Sequence, residues 1–121
     1  MLLLTPGLKA KGLPPHQVAL SDARHLYWTP AQMVAHHSSN GCDLRPGDLF
    51  GSGTITAPGE EGYGSLLEAT QGGRRPIALA SGEERRFLED GDEVFLRARA
   101  KREGFATIGF GECRGAVQPA P

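Results

Sequence analysis

Residues 90–101 read D-G-D-E-V-F-L-R-A-R-A-K and decide the fold class. An Asp-Gly-Asp turn is followed by strict alternation of two kinds of side chain. One set is aliphatic and the other is mostly basic: Val94, Leu96, Ala98 and Ala100 against Phe95, Arg97, Arg99 and Lys101. Because side chains of a β-strand point alternately to its two faces, this period of two predicts a strand.

Further strand candidates lie on both sides of this segment, separated by Gly- and Pro-containing turns. They are Leu2–Leu4, Leu49–Thr56, Gly62–Thr70, Pro76–Ala80 and Phe105–Phe110. Residues 5–24 and 111–121 are expected to be irregular. The sequence therefore predicts a mainly β fold with one short helix.

That helix is predicted at residues 30–39 from its end signals. Thr29 is suited to the N-cap, and Pro30 then occupies the first helical position, where its missing N–H is harmless. Gln32 follows Thr29 by three residues and completes a capping-box pattern. Asn40-Gly41 supplies a left-handed stop.

Length and charge exclude several classes of protein. A chain of 121 residues fits one domain. Its 13 Lys and Arg nearly balance 14 Asp and Glu, so no basic excess indicates nucleic acid or an anionic membrane as partner. The first apolar run, Leu2–Leu4, is too short for a signal peptide or a membrane span, so a cytoplasmic protein is expected. Cys42 and Cys113 are predicted to be free thiols.

Patterns alone offer few candidates for chemistry. On the predicted strand Gly62–Thr70, Leu66 and Glu68 share one face, so Glu68 is either a partly buried carboxylate with a partner or an ordinary solvated one. Thr54 follows Gly51-Ser52-Gly53, where a hydroxyl could donate to a ligand or simply suit a strand. His36 and His37 point about 100° apart on a helix and do not easily share a metal.

A longer pattern adds to these observations. Residues 27–58 read Y-W-T-P-A-Q-M-V-A-H-H-S-S-N-G-C-D-L-R-P-G-D-L-F-G-S-G-T-I-T-A-P, followed by G-Y-G-S-L-L-E at 62–68 and I-G-F-G-E-C at 108–113. Over residues 22–118 the chain resembles the C-terminal region of the fumarylacetoacetase family. The resemblance implies that residues 1–121 form part of a mixed β-roll, the C-terminal part of a catalytic domain whose upstream part is absent.

The resemblance also implies an activity. The family hydrolyses a carbon–carbon bond of fumarylacetoacetate to give fumarate and acetoacetate in tyrosine and phenylalanine breakdown. It implies Ca²⁺ and Mg²⁺ held by carboxylates, a water-activating histidine, a glutamate that orients this histidine, and a homodimer. Thr54 matches a substrate-binding threonine and Glu68 matches the orienting glutamate. No position matches the catalytic histidine or a metal ligand, so the chain alone is expected to be an inactive fragment.

Two alternatives remain at this stage. The chain could be a non-enzymatic small β domain that binds a ligand or a partner. It could also belong to a decarboxylase or isomerase of related keto acids. The sequence does not distinguish these alternatives from the hydrolase fragment, and it does not identify the metal.

Overall fold

The computed structural model describes all residues from Met1 to Pro121 and is organised around antiparallel strands. A four-stranded sheet has the order β2-β1-β5-β6, and β3 pairs with β4 in a separate two-stranded sheet. The strands are β1 Leu2–Leu4, β2 His16–Gln17, β3 Ile77–Ala78, β4 Glu84–Arg85, β5 Glu93–Ala100 and β6 Ile108–Ala116. The mainly β prediction is therefore confirmed.

The two longest strands form an antiparallel ribbon. Strand β5 coincides with the alternating segment that was predicted from sequence. Its register with β6 runs from the pair Glu93 and Ala116 to the pair Ala100 and Ile108, with an irregularity between Arg97 and Arg99. The prediction that residues 111–121 are irregular is wrong for 111–116, because pairing with β5 extends the strand to Ala116.

Helix α2, Pro30–Ser38, confirms the prediction made from its end signals. The Thr29 side chain accepts from the backbone N–H of Gln32, and the Gln32 side chain accepts from the backbone N–H of Thr29. Gly41 adopts φ +85° just beyond the helix, a conformation in which a side chain would be strained. No residue of α2 is buried, so its local end signals rather than core packing define it.

Two further α-helices and a short 3₁₀ helix, Ala23–His25, were not predicted. Helix α1, Pro6–Ala10, begins after the N-cap Thr5 in a region expected to be irregular. Helix α3, Leu66–Ala69, begins after the N-cap Ser65, so the predicted strand Gly62–Thr70 is wrong. The predicted strand Leu49–Thr56 is also wrong, because this segment pairs with no other strand. The predicted strand Pro76–Ala80 is confirmed at its centre by β3.

A small apolar core lies where α3 packs on the larger sheet. Its three buried members, Leu3, Val18 and Leu66, come from β1, the segment after β2, and α3. Partly buried apolar side chains surround them: Met1, Ala69, Ile77 and Val94. The core therefore fixes the position of α3 relative to the sheet.

A polar cluster connects β4 and the turn before it to the residues that precede α1 and β5. Asp92 is fully buried and accepts two hydrogen bonds from the guanidinium of Arg85, at 2.9 and 3.1 Å. Nearby, the hydroxyls of Ser81 and Thr5 donate to Glu83 at 2.6 and 2.5 Å. These hydrogen bonds, with a smaller contribution from Arg85, lower the pKa of the Glu83 carboxyl from 4.5 to about 2.

None of the helices combines the length and the apolar character needed to cross a bilayer.

Candidate functional site

Helix α3 positions Glu68, the first of the two predicted site residues. The hydroxyl of Ser65 accepts from the backbone N–H of Glu68 at 3.2 Å and caps the helix. Leu66, two residues before Glu68, is buried in the core beside Leu3 and Val18. Because Leu66 anchors this short helix in the core, the backbone position of Glu68 is fixed relative to the sheet.

Glu68 is partly exposed, and its carboxylate is hydrogen-bonded to the preceding loop. The hydroxyl of Thr56 lies 3.0 Å from Oε1 and 2.9 Å from Oε2, and the backbone N–H of Gly64 donates to Oε2 at 2.7 Å. A carboxylate oxygen can accept two hydrogen bonds. Oε2 has both of these contacts, whereas Oε1 has one and can accept a further donor.

Thr54, the second predicted site residue, lies in the exposed loop against the same glycine. A Cβ atom built on Gly64 would lie 2.8 Å from Cβ of Thr54 and 3.2 Å from the backbone N and O of Ile55. The 2.8 Å distance is shorter than real Cβ contacts, and the 3.2 Å distances are tighter than most of them. Gly64 therefore allows the Thr54 segment to approach α3, and it contacts both predicted site residues.

A tight turn brings the two halves of this loop together. The backbone N–H of Ala57 donates to the carbonyl of Gly62 at 2.7 Å, and Gly59 adopts φ +94° between them. The carbonyl of Glu61 accepts from the backbone N–H of Leu20 at 2.8 Å, which connects the turn to the chain beyond β2. The first hydrogen bond closes the turn and the second tethers it, and Thr54 and Glu68 both lie against Gly64 on either side of it.

Comparison with known proteins identifies the family. Residues 16–118 match the family model described as fumarylacetoacetate (FAA) hydrolase C-terminal. The chain belongs to this family. It is 52% identical over 106 residues to the fumarylacetoacetase of Oryza sativa subsp. japonica, covering 88% of this chain and 24% of that relative. It is 46% identical over 118 residues to the fumarylacetoacetase of Homo sapiens, covering 97% of this chain and 28% of that relative.

A third relative gives the same picture. The fumarylacetoacetase of Caenorhabditis elegans is 51% identical over 105 residues, which covers 87% of this chain and 25% of that protein. The chain therefore spans about a quarter of the length of the relatives that it matches.

The Glu68 site of this chain contains neither a histidine nor a group of metal ligands. The donors to the Glu68 carboxylate are Thr56 and Gly64, and no histidine is among them. His36 and His37 lie on α2, and no three His, Cys, Asp or Glu side chains form a group that could hold a metal ion. The residues present thus do not fit the calcium or magnesium site that the family resemblance implies.

Two concave surfaces lie elsewhere on this FAA hydrolase C-terminal chain. One lies beside α3 and is lined mainly by polar groups, among them Tyr63, Gln71 and Arg75. The other is more apolar and lies against α2, between Trp28, Met33 and His36. Neither is lined by Thr54 or Glu68, which instead lie at the loop between residues 54 and 68.

Sequence reasoning missed the residues that orient Glu68 in this family member. They are Thr56, which contacts both carboxylate oxygens, and Gly64, whose N–H contacts one of them. A signal for the local structure was present, because Ser65-x-x-Glu68 is the same capping pattern as Thr29-x-x-Gln32. It predicts a helix start at Ser65, and with it the turn that directs Glu68 back toward the loop.

Proposed function

We propose that this chain supplies part of the active site of a fumarylacetoacetase, an enzyme that hydrolyses a carbon–carbon bond of fumarylacetoacetate to give fumarate and acetoacetate. The observation that carries the proposal is the Glu68 carboxylate, held by Thr56 and Gly64 beside Thr54. The relatives bear the name fumarylacetoacetase, and the proposal includes the place in tyrosine and phenylalanine breakdown that the family resemblance implies.

Glu68 acts in this proposal on a histidine that lies outside residues 1–121. A carboxylate that accepts from one ring nitrogen fixes the tautomer and orientation of the imidazole and stabilises its protonated form. The other ring nitrogen can then remove a proton from water, which becomes the nucleophile. The free acceptor position on Oε1 of Glu68 suits this role, because Thr56 and Gly64 already hold the carboxylate in place.

Thr54 binds the substrate in this proposal. Its hydroxyl can donate to a carboxylate or carbonyl oxygen of the diketone acid. The side chain is exposed and its backbone segment is fixed against Gly64, which supports a contact made from a rigid position. Calcium and magnesium would be held by residues outside this chain, and no step of the proposal passes through them.

The whole enzyme is proposed to be a cytoplasmic homodimer. Large apolar side chains that lie at the surface support association with further protein, among them Leu49, Tyr27 and Phe110, with exposed fractions of 98%, 83% and 70%. Sedimentation of the isolated chain over a range of concentrations tests this point. Self-association is expected, and a chain that stays monomeric at high concentration would contradict it.

The catalytic proposal is tested with a chimera. This chain replaces the matching 118 residues of the human relative, and hydrolysis of fumarylacetoacetate is measured. The chimera should turn over substrate. Glu68→Gln should lower kcat about 100-fold, because the histidine loses the carboxylate that orients it and stabilises its protonated form. Glu60→Gln is the matched control, since Glu60 is exposed in the same loop, and it should leave kcat unchanged.

Other outcomes reject parts of the proposal. A folded but inactive chimera would favour a non-enzymatic binding domain. An active chimera in which Glu68→Gln has no effect would reject the role of Glu68. The 121-residue chain alone should show no turnover, and activity that is abolished by Glu68→Ala would show that the site is complete in this chain.

A further inference from the structure

A cysteine and a histidine form a contact at the end of helix α2, away from the Glu68 site. Cys42 Sγ lies 3.2 Å from His37 Nε2, a hydrogen-bonding distance for sulfur. The contact depends on the turn after the helix, in which Gly41 adopts φ +85° and its N–H donates to the carbonyl of Ser38 at 3.0 Å. This left-handed turn directs the chain back, so that Cys42 approaches the last turn of α2.

The imidazole of His37 is supported on a second side. Its ring meets the ring of Phe50 edge-on, with centroids 5.3 Å apart and an angle of 77° between the planes. Phe50 therefore limits rotation of the His37 ring while Nε2 faces the thiol. Both Cys42 and His37 remain exposed, so a small molecule can reach the sulfur.

We propose that His37 acts as a base for the thiol of Cys42, and that this thiol is modified by small α,β-unsaturated carbonyl compounds. The thiolate, not the thiol, is the nucleophile. His37 Nε2 takes the thiol proton as Sγ bonds to the β-carbon of the compound. The carbon–carbon π bond breaks, and its electron pair moves to the enolate. The His37 imidazolium then returns the proton to the α-carbon, which leaves a thioether and neutral His37.

Cys113 provides an internal comparison for this reaction. It is also a free and exposed cysteine, but it lies on strand β6 opposite Leu96 and contacts no histidine. The two thiols thus share solvent access and differ in the presence of a base. A difference in their rates reports the contribution of His37.

The test measures alkylation of both cysteines in the full 121-residue chain by acrylamide, a neutral α,β-unsaturated amide. Adducts on the two peptides are counted by mass spectrometry over time. Cys42 should react about tenfold faster than Cys113. This rate enhancement is smaller than a general base usually provides, because at an exposed site water competes with His37 for the thiol proton. In concentrated urea the two rates should become equal, since the contact requires the folded turn.

Two histidine variants identify the base. His37→Gln should bring the rate of Cys42 close to that of Cys113, because an amide does not accept the thiol proton. His36→Gln is the matched control, since His36 is the adjacent histidine of the same helix and lines the apolar surface with Trp28 instead. It should leave the rate ratio unchanged. Equal rates in the native chain, or a ratio that survives in His37→Gln, would overturn the proposal.

Discussion

Replacement of Leu66 by Ala tests whether α3 is anchored as the structure describes. Leu66 is 9% exposed and packs with Leu3 and Val18, whereas its neighbour Leu67 is 57% exposed. The two leucines are consecutive residues of the same helix, they follow the same N-cap, and both precede Glu68. They differ in burial, so Leu67→Ala is the matched control.

The expected loss follows from the carbons removed. Leu to Ala deletes three carbon atoms, and burial of each is worth about 0.8 kcal/mol. The lost transfer free energy is therefore about 2.4 kcal/mol, with an added cost for any cavity that remains. The core around Leu66 has only three buried members and can partly collapse, so we expect a loss of about 2–3 kcal/mol. Leu67→Ala should change stability by less than about 0.5 kcal/mol.

Urea titration followed by circular dichroism measures both variants. With a typical slope of about 1–3 kcal/mol per molar urea, Leu66→Ala should lower the midpoint by about 0.7 to 3 M. A variant already unfolded without urea would agree with a loss of this size in a marginally stable chain. Equal midpoints for Leu66→Ala and Leu67→Ala would refute the packing of α3, and with it the fixed position of Glu68.

Three further predictions concern the polar cluster and the loop. Asp92→Ala should cost about 3 kcal/mol, because it leaves buried Arg85 without its bidentate partner; Glu89→Ala, which removes an exposed contact to the same arginine, should cost less than about 1 kcal/mol in the same urea titration. The lowered pKa of Glu83 stabilises the folded chain above pH 4.5. Stability should fall as the pH drops from 4.5 toward about 2, since the unfolded chain takes up the proton first, and Glu83→Gln should reduce that loss in unfolding titrations at each pH. Gly64→Ala should displace the 54–57 loop, so unchanged amide chemical shifts there in nuclear magnetic resonance spectra would contradict the close approach.

The sequence predicted one helix and missed another although both carry the same signal. Thr29-x-x-Gln32 was interpreted as a capping box, and α2 begins there. Ser65-x-x-Glu68 has the same pattern, but residues 62–70 were interpreted as a strand because they lie between Gly- and Pro-containing turns. A short apolar run does not separate helix from strand by period alone. The capping pattern is the more specific signal for a helix, because it predicts a particular hydrogen bond between the N-cap side chain and the backbone.

The errors in the strands have a different cause. Residues 49–56 have the composition of a strand, but a strand exists only when another strand pairs with it. Residues 111–116 contain Gly111 and Gly115, which weaken a strand prediction, and residues 112–116 nevertheless pair with β5. The deciding factor is whether a partner strand distant in sequence is available, and local propensity does not contain that information.

The proposal that Glu68 is a site residue came from family resemblance, whereas its hydrogen-bond partners became known only from the folded loop. Its donors lie 12 and 4 residues away and meet it because of the turn between Ala57 and Gly62. The carboxylate therefore closes the loop as well as offering Oε1 to a further donor. Glu68→Ala would remove both roles at once, whereas Glu68→Gln keeps an oxygen that can accept from Thr56 and removes the negative charge. An activity lost in the glutamine variant while the loop stays intact would consequently report the charge that a protonated histidine needs.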